Sequence, residues 1–471
     1  MKSKRMIVCK FGGSSVQDAE TIRKTAEIIA QKNTQYEYGP VVVLSAMGGV
    51  TDLLIKAAEE AENGREDANN LIIDVQNRHA AVVAELLSPG DVRSKIEKQM
   101  ESIFYELTEI LHGVSLLHEC TGRTRDYIAS FGERLNCLQI HAYLQEMGLN
   151  VSLVDSREMI RTEEQYGGAS VLFAESNALI QQQLDGKAGI VVAPGFIAAT
   201  KDGVTTTLGR NGSDYTASII GAAVNAEAIE IWTDVDGVLS ADPRVVPDAF
   251  FLPQISFREA MELSYFGAEV IHPYTMIPAM SADIPVYIKN TRNPAGEGTR
   301  ISSESSAGNR MVTGLASIRD VALVNIEGGG MVGIPGFAGR VFTALAGADV
   351  NIIMITQASS EHSICIVIRS DQKEAALKAL QLELEAELKT HQIEPFEVVS
   401  DLEIVAIIGE NMRGTPGISG KLFSTLGDKG INVLAIAQGS SEMNVSFVIH
   451  GGERETVLRS LHHEFFGGEE S

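Results

Sequence analysis

Cations are scarce in this sequence, and two of them stand in glycine-rich loops. Lys and Arg total 38 against 62 Asp and Glu, a formal net charge of -24. A protein so acidic must gather its positive charge locally wherever it handles an anion. In "KFGGSSV" (10–16) Lys10 closes an apolar run. Gly12 and Gly13 then bare their backbone N–H groups, and Ser14 or Ser15 can open a helix. Bare amides at a helix start beside a lysine form a cradle for phosphate. In "TTTLGRNGSDYTA" (205–217) Arg210 offers a two-pronged fork for a carboxylate, and Asp214 can hold a lysine in place. Ser213 is expected to cap the helix that follows, whose N-terminus favours an anion. "LSAMGGVTD" (44–52) repeats the strand-end pattern with Ser45 and Thr51. Together these loops read as a clamp for a small carboxylate, facing a phosphate loop across a cleft.

Other polar positions have plainer readings beside the functional one. Glu133 and Arg134 in "SFGERL" (130–135) look like a solvated helix face. In "IWTDVDGVLSADPR" (231–244) Thr233, Asp234, Asp242 and Arg244 either shape turns or face a nucleotide. His272 in "YFGAEVIHP" (265–273) reads as structural. The sequence contains no G-x-x-x-x-G-K-[ST], and "GGGMVGIPG" (328–336) reads as a turn before a helix. The four cysteines, Cys9, Cys120, Cys137 and Cys365, lack metal-site spacing and read as reduced thiols.

These loops need a scaffold, and the sequence alternates accordingly. Strands are expected at 6–10, 41–46, 151–154, 189–193, 228–232 and 285–288, with helices between them and a mostly helical stretch over 67–147. That order predicts an α/β fold, a mostly parallel open sheet sandwiched by helices. In such sheets ligands bind at the carboxyl ends of strands, where every loop above lies. Residues 293–309 look like an exposed linker. Beyond it, 331–368 aligns without a gap on 412–449, an offset of 81 residues. Each copy reads as a small α+β module. The expected domains are 1–305, 313–395 and 400–471. The charge argues against nucleic acid. No apolar run reaches the ~20 residues of a membrane span, so the expected location is the cytoplasm and no membrane partner is expected.

Taken together and in this order, "KFGGSSV", "VVVLSAMGGVTDLL", "SFGERL", "TTTLGRNGSDYTA", "IWTDVDGV…DPR" and "FGAEVIHP" resemble the aspartokinases of the amino-acid-kinase superfamily, and the repeat resembles their tandem ACT domains. The likeness covers nearly the whole chain, and it is closest to the single-function members. It implies transfer of the ATP γ-phosphoryl group to the β-carboxylate of L-aspartate, giving 4-phospho-L-aspartate, the first step toward lysine, threonine and methionine. It implies ATP with Mg²⁺ carried by the phosphates, and no metal ligand on the protein.

By motif, the resemblance makes Lys10 and Asp214 catalytic. It assigns Ser45, Thr51, Glu133, Phe196, Arg210 and Ser213 to aspartate, with Glu133 on the ammonium. Lys10, Gly12, Gly13, Thr233, Asp234, Leu239, Arg244 and Glu269 fall on the nucleotide side. Three positions depart from the pattern: Glu269 for a common lysine, Leu239 for a tyrosine, and Asn211 for a glycine. All three bear on nucleotide affinity. In the repeat, Asn351 and Asn432 are expected to begin strands ending at Gln357 and Gln438, whose amides can read a free amino acid. The effector expected is threonine, with lysine as the alternative, and the modules are expected to join the chain into a homodimer or tetramer. Another amino-acid kinase, or a non-catalytic ACT sensor, are the competing readings.

Overall fold

The computed structural model describes residues 6–65, 67–267, 272–304, 310–357 and 362–467. The chain forms two compact units: Met1–Val238, Leu252–Phe257 and Val270–Glu304 in the first, and Leu239–Phe251, Arg258–Glu269 and Ser305–Ser471 in the second.

The first unit opens with β1 (Ile7–Phe11), α1 (Ala19–Gln35), β2 (Pro40–Leu44) and α2 (Val50–Glu62). Four helices follow: α3 (Asp67–Leu86), α4 (Asp91–Leu117), α5 (Gly122–Ala129) and α6 (Phe131–Glu146). Next come β3 (Val151–Leu153), α7 (Ser156–Met159), α8 (Phe173–Leu184), β4 (Ile190–Pro194), β5 (Ile197–Ala199) and β6 (Thr205–Thr207). After α9 (Gly212–Val224), β7 (Ala228–Thr233) and β8 (Gln254–Ser256), α10 (Phe257–Tyr265) passes into the second unit. The first unit is completed by α11 (Ile277–Ser281), β9 (Val286–Asn290) and β10 (Thr299–Ser302).

Eight strands form one sheet in the order β3-β4-β2-β1-β7-β9-β10-β8. All its pairings are parallel except β9 with β10. Every residue of β1, β2 and β4 is buried, as continuous apolar runs require when helices cover both faces. From β1 the chain builds outward on one side through β2 and on the other through β7. The topological switch point therefore lies at β1, the strand that ends in Lys10 and Phe11.

The expected exposed linker over 293–309 is corrected within its described part, because 299–302 is the strand β10. Thr299 and Ile301 are fully buried, and the Thr299 hydroxyl donates to the Leu252 carbonyl at 2.7 Å. A four-residue strand flanked by glycine and serine is too short to show its period in sequence.

The second unit is built from β11 (Gly314–Glu327), α12 (Phe337–Gly347), β12 (Ile352–Gln357), β13 (Ser363–Arg369), α13 (Lys373–Glu383), α14 (Glu385–Lys389) and β14 (Glu397–Ile408). Then follow α15 (Ile418–Asp428), β15 (Ala435–Ala437), β16 (Asn444–His450) and α16 (Arg454–Phe466). Its antiparallel sheet runs β12-β13-β11-β14-β16-β15. The repeat persists in the backbone: α12 and α15, and β13 and β16, keep the 81-residue offset. So do Asp320 and Asp401, both in the left-handed region where β11 and β14 break their straight course.

At that break the pairing of β11 changes. Gly314–Ile318 pairs with the later half of β14, and Val312 and Leu315 join the apolar core of Val405, Leu422 and Leu458. A separate core holds Val324, Val341, Ile366 and Leu380. Leu239–Phe251 and Arg258–Glu269 group with the second compact unit. Within the second unit, the Ser240 hydroxyl lies 2.9 Å from His462 Nε2, and Arg454 pairs with Asp242 at 3.4 Å.

Candidate active site

Lys10 occupies the next-to-last position of β1, registered with Val43 of β2 and Ile231 of β7. A lysine there is enclosed by the sheet, and only 9% of it is exposed. Its Nζ lies 2.6 Å from Asp214 Oδ1 on the first turn of α9, and Asp214 is 5% exposed. The approach is an ion pair rather than an aligned hydrogen bond. An added Cβ at Gly12 would come 3.5 Å from the Lys10 Nζ, so the glycine keeps one side of the ammonium open.

The strand-end loops are fastened to one another through their backbones. Gly12 N–H donates to the Trp232 carbonyl at 3.1 Å, Ser45 N–H to Phe11 at 3.1 Å, Gly48 N–H to Gly13 at 3.2 Å, and Gly195 N–H to Leu44 at 2.8 Å. Close approach explains two of the glycines. An added Cβ at Gly195 would stand 2.5 Å from Ser213 Cβ and Oγ, and one at Gly132 would stand 2.8 Å from Ala46 Cβ. Phe196 takes a left-handed φ of 67°, uncommon for a bulky residue. It is held there by its N–H to the Thr216 hydroxyl at 3.0 Å and by the Leu208 N–H on its carbonyl at 2.8 Å.

Glu133 is not on a solvated face. It is 3% exposed in the buried first turn of α6, and its Oε2 has no hydrogen-bond partner among the described residues. Burial lifts its carboxyl to about 8, against a smaller opposing pull from the Ala46 N–H. Arg134 turns to Glu106 at 3.5 Å and lies 4.5 Å over the Phe131 ring. Arg210 is exposed and forms no ion pair among the described residues, as a fork awaiting an anion would. Ser45 and Thr51 are half-buried.

Ser213 is not the helix cap. Asn211 holds that position in a left-handed conformation without a side-chain cap. Ser213 already lies inside the first turn, packed over Gly195.

Thr233 closes β7 and, with the following Asp234, lines a cleft of about 190 Å³ with Ser14, Gln17, Lys24 and Arg292. Arg292 and Lys24 were not anticipated there. Leu239 and Arg244, expected beside them, belong to the second unit. There Leu239 bridges to Phe251, and Arg244 Nε donates to Asp242 Oδ1 at 2.9 Å, which with a backbone N–H holds that carboxyl below its usual range against its partial burial. Glu269 lies outside the described residues. In the repeat, Asn351, Gln357, Asn432 and Gln438 are all exposed. Gln357 ends β12 as expected, whereas Asn432 and Gln438 fall outside the shorter β15.

Asp126 is a positioning residue without a signal in the sequence. Its buried carboxylate accepts from Thr207 N–H at 2.8 Å, the Thr207 hydroxyl at 3.0 Å and Gly167 N–H at 3.0 Å, tying down the strand that leads to Arg210. Burial still outweighs those bonds and raises its pKa. Among the described residues no three His, Cys, Asp or Glu side chains converge as a metal site would require. Among them, too, no helix is long and apolar enough to cross a membrane. All four cysteines are free.

A sequence profile described as "Amino acid kinase family" matches residues 5–290, and one described as "ACT domain" matches 324–384 and 405–465. The chain is 35% identical over 469 residues to the bifunctional aspartokinase/homoserine dehydrogenase of Haemophilus influenzae, covering 98% of this chain and 56% of that protein. It thus spans about half the length of several curated relatives that it matches. It is also 35% identical to aspartokinase 1, chloroplastic, of Arabidopsis thaliana, covering 98% of this chain and 80% of that one. The crystal structure of E. coli aspartokinase III with aspartate and ADP, an R-state, superposes with a TM-score of 0.83 at 30% identity, covering 98% and 100% of the two chains. The same enzyme with lysine and aspartate, a T-state, gives 0.78 with 98% and 99% coverage.

Proposed function

The chain belongs to the aspartokinases of the amino acid kinase family, and from that membership we propose that it transfers the γ-phosphoryl group of ATP to the β-carboxylate of L-aspartate. The observation that carries this reading is the buried Lys10–Asp214 pair at the switch point of the sheet. A carboxylate nucleophile is ionised at neutral pH, so the step needs positioned charge rather than a general base. One β-carboxylate oxygen bonds to the γ-phosphorus as the bond to the β,γ-bridging oxygen breaks, giving 4-phospho-L-aspartate and ADP with no proton to relay. Lys10, held by Asp214, stabilises charge on the transferring group. The exposed Arg210 takes the α-carboxylate, and the unpartnered oxygen of Glu133 takes the ammonium. Ser45, Thr51, Phe196 and Ser213 shape the remaining pocket. Gly12, Gly13, Thr233 and Asp234 face the nucleotide. Bound Mg²⁺ supplies charge neutralisation on the phosphates, on which it is carried.

The paired modules bind an amino-acid effector, with L-threonine the first candidate and Gln357 its principal contact. The T-state complex of E. coli aspartokinase III with lysine keeps lysine as the second candidate. The edge strands β12 and β15 expose Ile355 and Ile436 at equivalent positions, which favours self-association through these modules. A hydroxylamine-trap assay with aspartate, ATP and Mg²⁺ tests the activity. Aspartyl hydroxamate that requires both substrates is the expected result, and its absence at saturating substrate overturns the reading.

A further inference from the structure

A file of buried polar side chains runs through the otherwise apolar packing of α3 and α6. His79, Asn136 and Gln139 are each no more than 1% exposed, among Val75, Leu135 and Ile140. Their contacts form a row: His79 Nδ1 lies 3.0 Å from Gln139 Oε1, Gln139 Nε2 donates to Asn136 Oδ1 at 2.8 Å, and Asn136 Nδ2 donates to the Ser45 carbonyl at 2.6 Å.

The direction of every bond in the row follows from its last member. A backbone carbonyl only accepts, so Asn136 must present its NH₂ to Ser45 and its oxygen to Gln139. Gln139 must then present its NH₂ to Asn136 and its oxygen to His79, which leaves His79 carrying its proton on Nδ1. The other ring nitrogen, Nε2, has no partner among the described residues, as a bare lone pair in apolar surroundings would have none. Such a row is costly to bury unless each member is satisfied, and it ends on the loop that carries Ser45.

The Ser45 carbonyl and the Ala46 N–H belong to one peptide group. Asn136 holds the carbonyl end, and the Ala46 N–H is directed to Glu133, one helical turn earlier on α6. The preceding N–H, that of Ser45, is bound to Phe11 at 3.1 Å.

We propose that Asn136, oriented by Gln139 and His79, is a positioning residue that clamps the Ser45–Ala46 peptide and so holds both Ser45 and the Glu133 carboxylate in register for the amino-acid substrate. The clamp itself rests on the contacts above; its role toward aspartate rests on the function proposed for the site. A peptide flip there would lose both bonds at once and turn a carbonyl dipole toward the carboxylate.

Two measurements separate the clamp from the reading of function. Amide hydrogen exchange over residues 44–48 in the ligand-free protein reads the clamp alone. Asn136→Leu, and the near-isosteric Gln139→Met, which cannot donate to Asn136, should each speed exchange there about tenfold. Both should raise KM for aspartate about tenfold while KM for ATP stays within about twofold. His79→Asn, which keeps an N–H donor toward Gln139, should retain values close to those of the unmodified protein. Unchanged exchange in both Asn136→Leu and Gln139→Met overturns the clamp. An equal rise in both KM values with a lowered melting temperature reduces the row to general support and overturns its positioning role. If the unmodified protein forms no aspartyl hydroxamate, the functional reading falls, and exchange alone decides the clamp.

Discussion

At the scale of single residues, the site contains charges with distinct tasks. On the proposed function, Lys10→Ala removes a charge that would matter most in the transition state, so kcat should fall by about 10²–10³. Arg210→Ala removes a binding fork, and should cost about 2–4 kcal/mol in kcat/KM for aspartate through the unpaired carboxylate. Near-normal kinetics in both variants would overturn the assignment. Glu133 adds a dependence on pH. Burial lifts its carboxyl from 4.5 to about 8, so the folded chain holds more protons than the unfolded chain between those values. The stability it contributes is complete below about 4.5 and is lost as pH rises through about 8. A bound ammonium favours the ionised form instead. Aspartate binding at pH 7 should therefore release about one proton, seen as a dependence of binding enthalpy on buffer ionisation enthalpy. Glu133→Gln should abolish the release. No release from the unmodified protein would remove Glu133 from the ammonium site.

At the scale of elements, the site depends on how closely strand ends and helix starts approach. At Gly195 an added methyl group would stand 2.5 Å from Ser213, which is itself buried at the start of α9. Gly195→Ala should destabilise the chain by about 1–3 kcal/mol and weaken aspartate binding, because Ser213 and Asp214 move together. Gly113, inside α4, has open space around its Cα. Gly113→Ala should instead stabilise by about 0.5–1 kcal/mol. Denaturant midpoints on the two variants make the comparison, and equal shifts would discard the packing argument. The α9 turn was legible in sequence as a loop before an apolar helix. Its capping was not, because the choice between Asn211 and Ser213 depended on whether Ser213 would be packed against another strand end.

At the scale of the molecule, the repeat gives the chain two equivalent edge strands, β12 and β15, but their ends differ. Gln357 closes a six-residue strand, whereas Gln438 follows a strand of three. The longer edge strand of the first copy is the reason to expect Gln357, rather than Gln438, to be the stronger effector contact in the proposed site. L-Threonine should inhibit by binding the less active state more tightly, and the shift in population is limited by that difference in affinity. Gln357→Ala should relieve inhibition more than Gln438→Ala, with activity in the absence of effector unchanged. Full activity at saturating threonine would reject threonine, and inhibition by lysine in the same assay would put lysine in its place. Inhibition that survives in Gln357→Ala would move the site elsewhere.

The sequence by itself determined most elements of the first sheet and pointed to the polar loops at their ends. Apolar runs of strand length alternating with helical periods specify a sheet covered on both faces, and Lys10, Arg210 and Asp214 stand out because polar residues at such strand ends have few other uses. The 81-residue offset was equally legible, since a repeat is a property of one dimension. What only the tertiary structure decided was which polar residues are out of water. Glu133 and Arg134 are neighbours in sequence, yet packing on the Ala46 loop buries one and turns the other to Glu106. Asn136 and Gln139 share a face of α6, but their partner His79 is supplied by α3, 60 residues from Gln139. The docking of 239–251 against α16 depends likewise on Ser240 meeting His462, 222 residues away. Local periodicity encodes which face of an element is apolar; the identity of what covers it is set by contacts between distant parts of the chain.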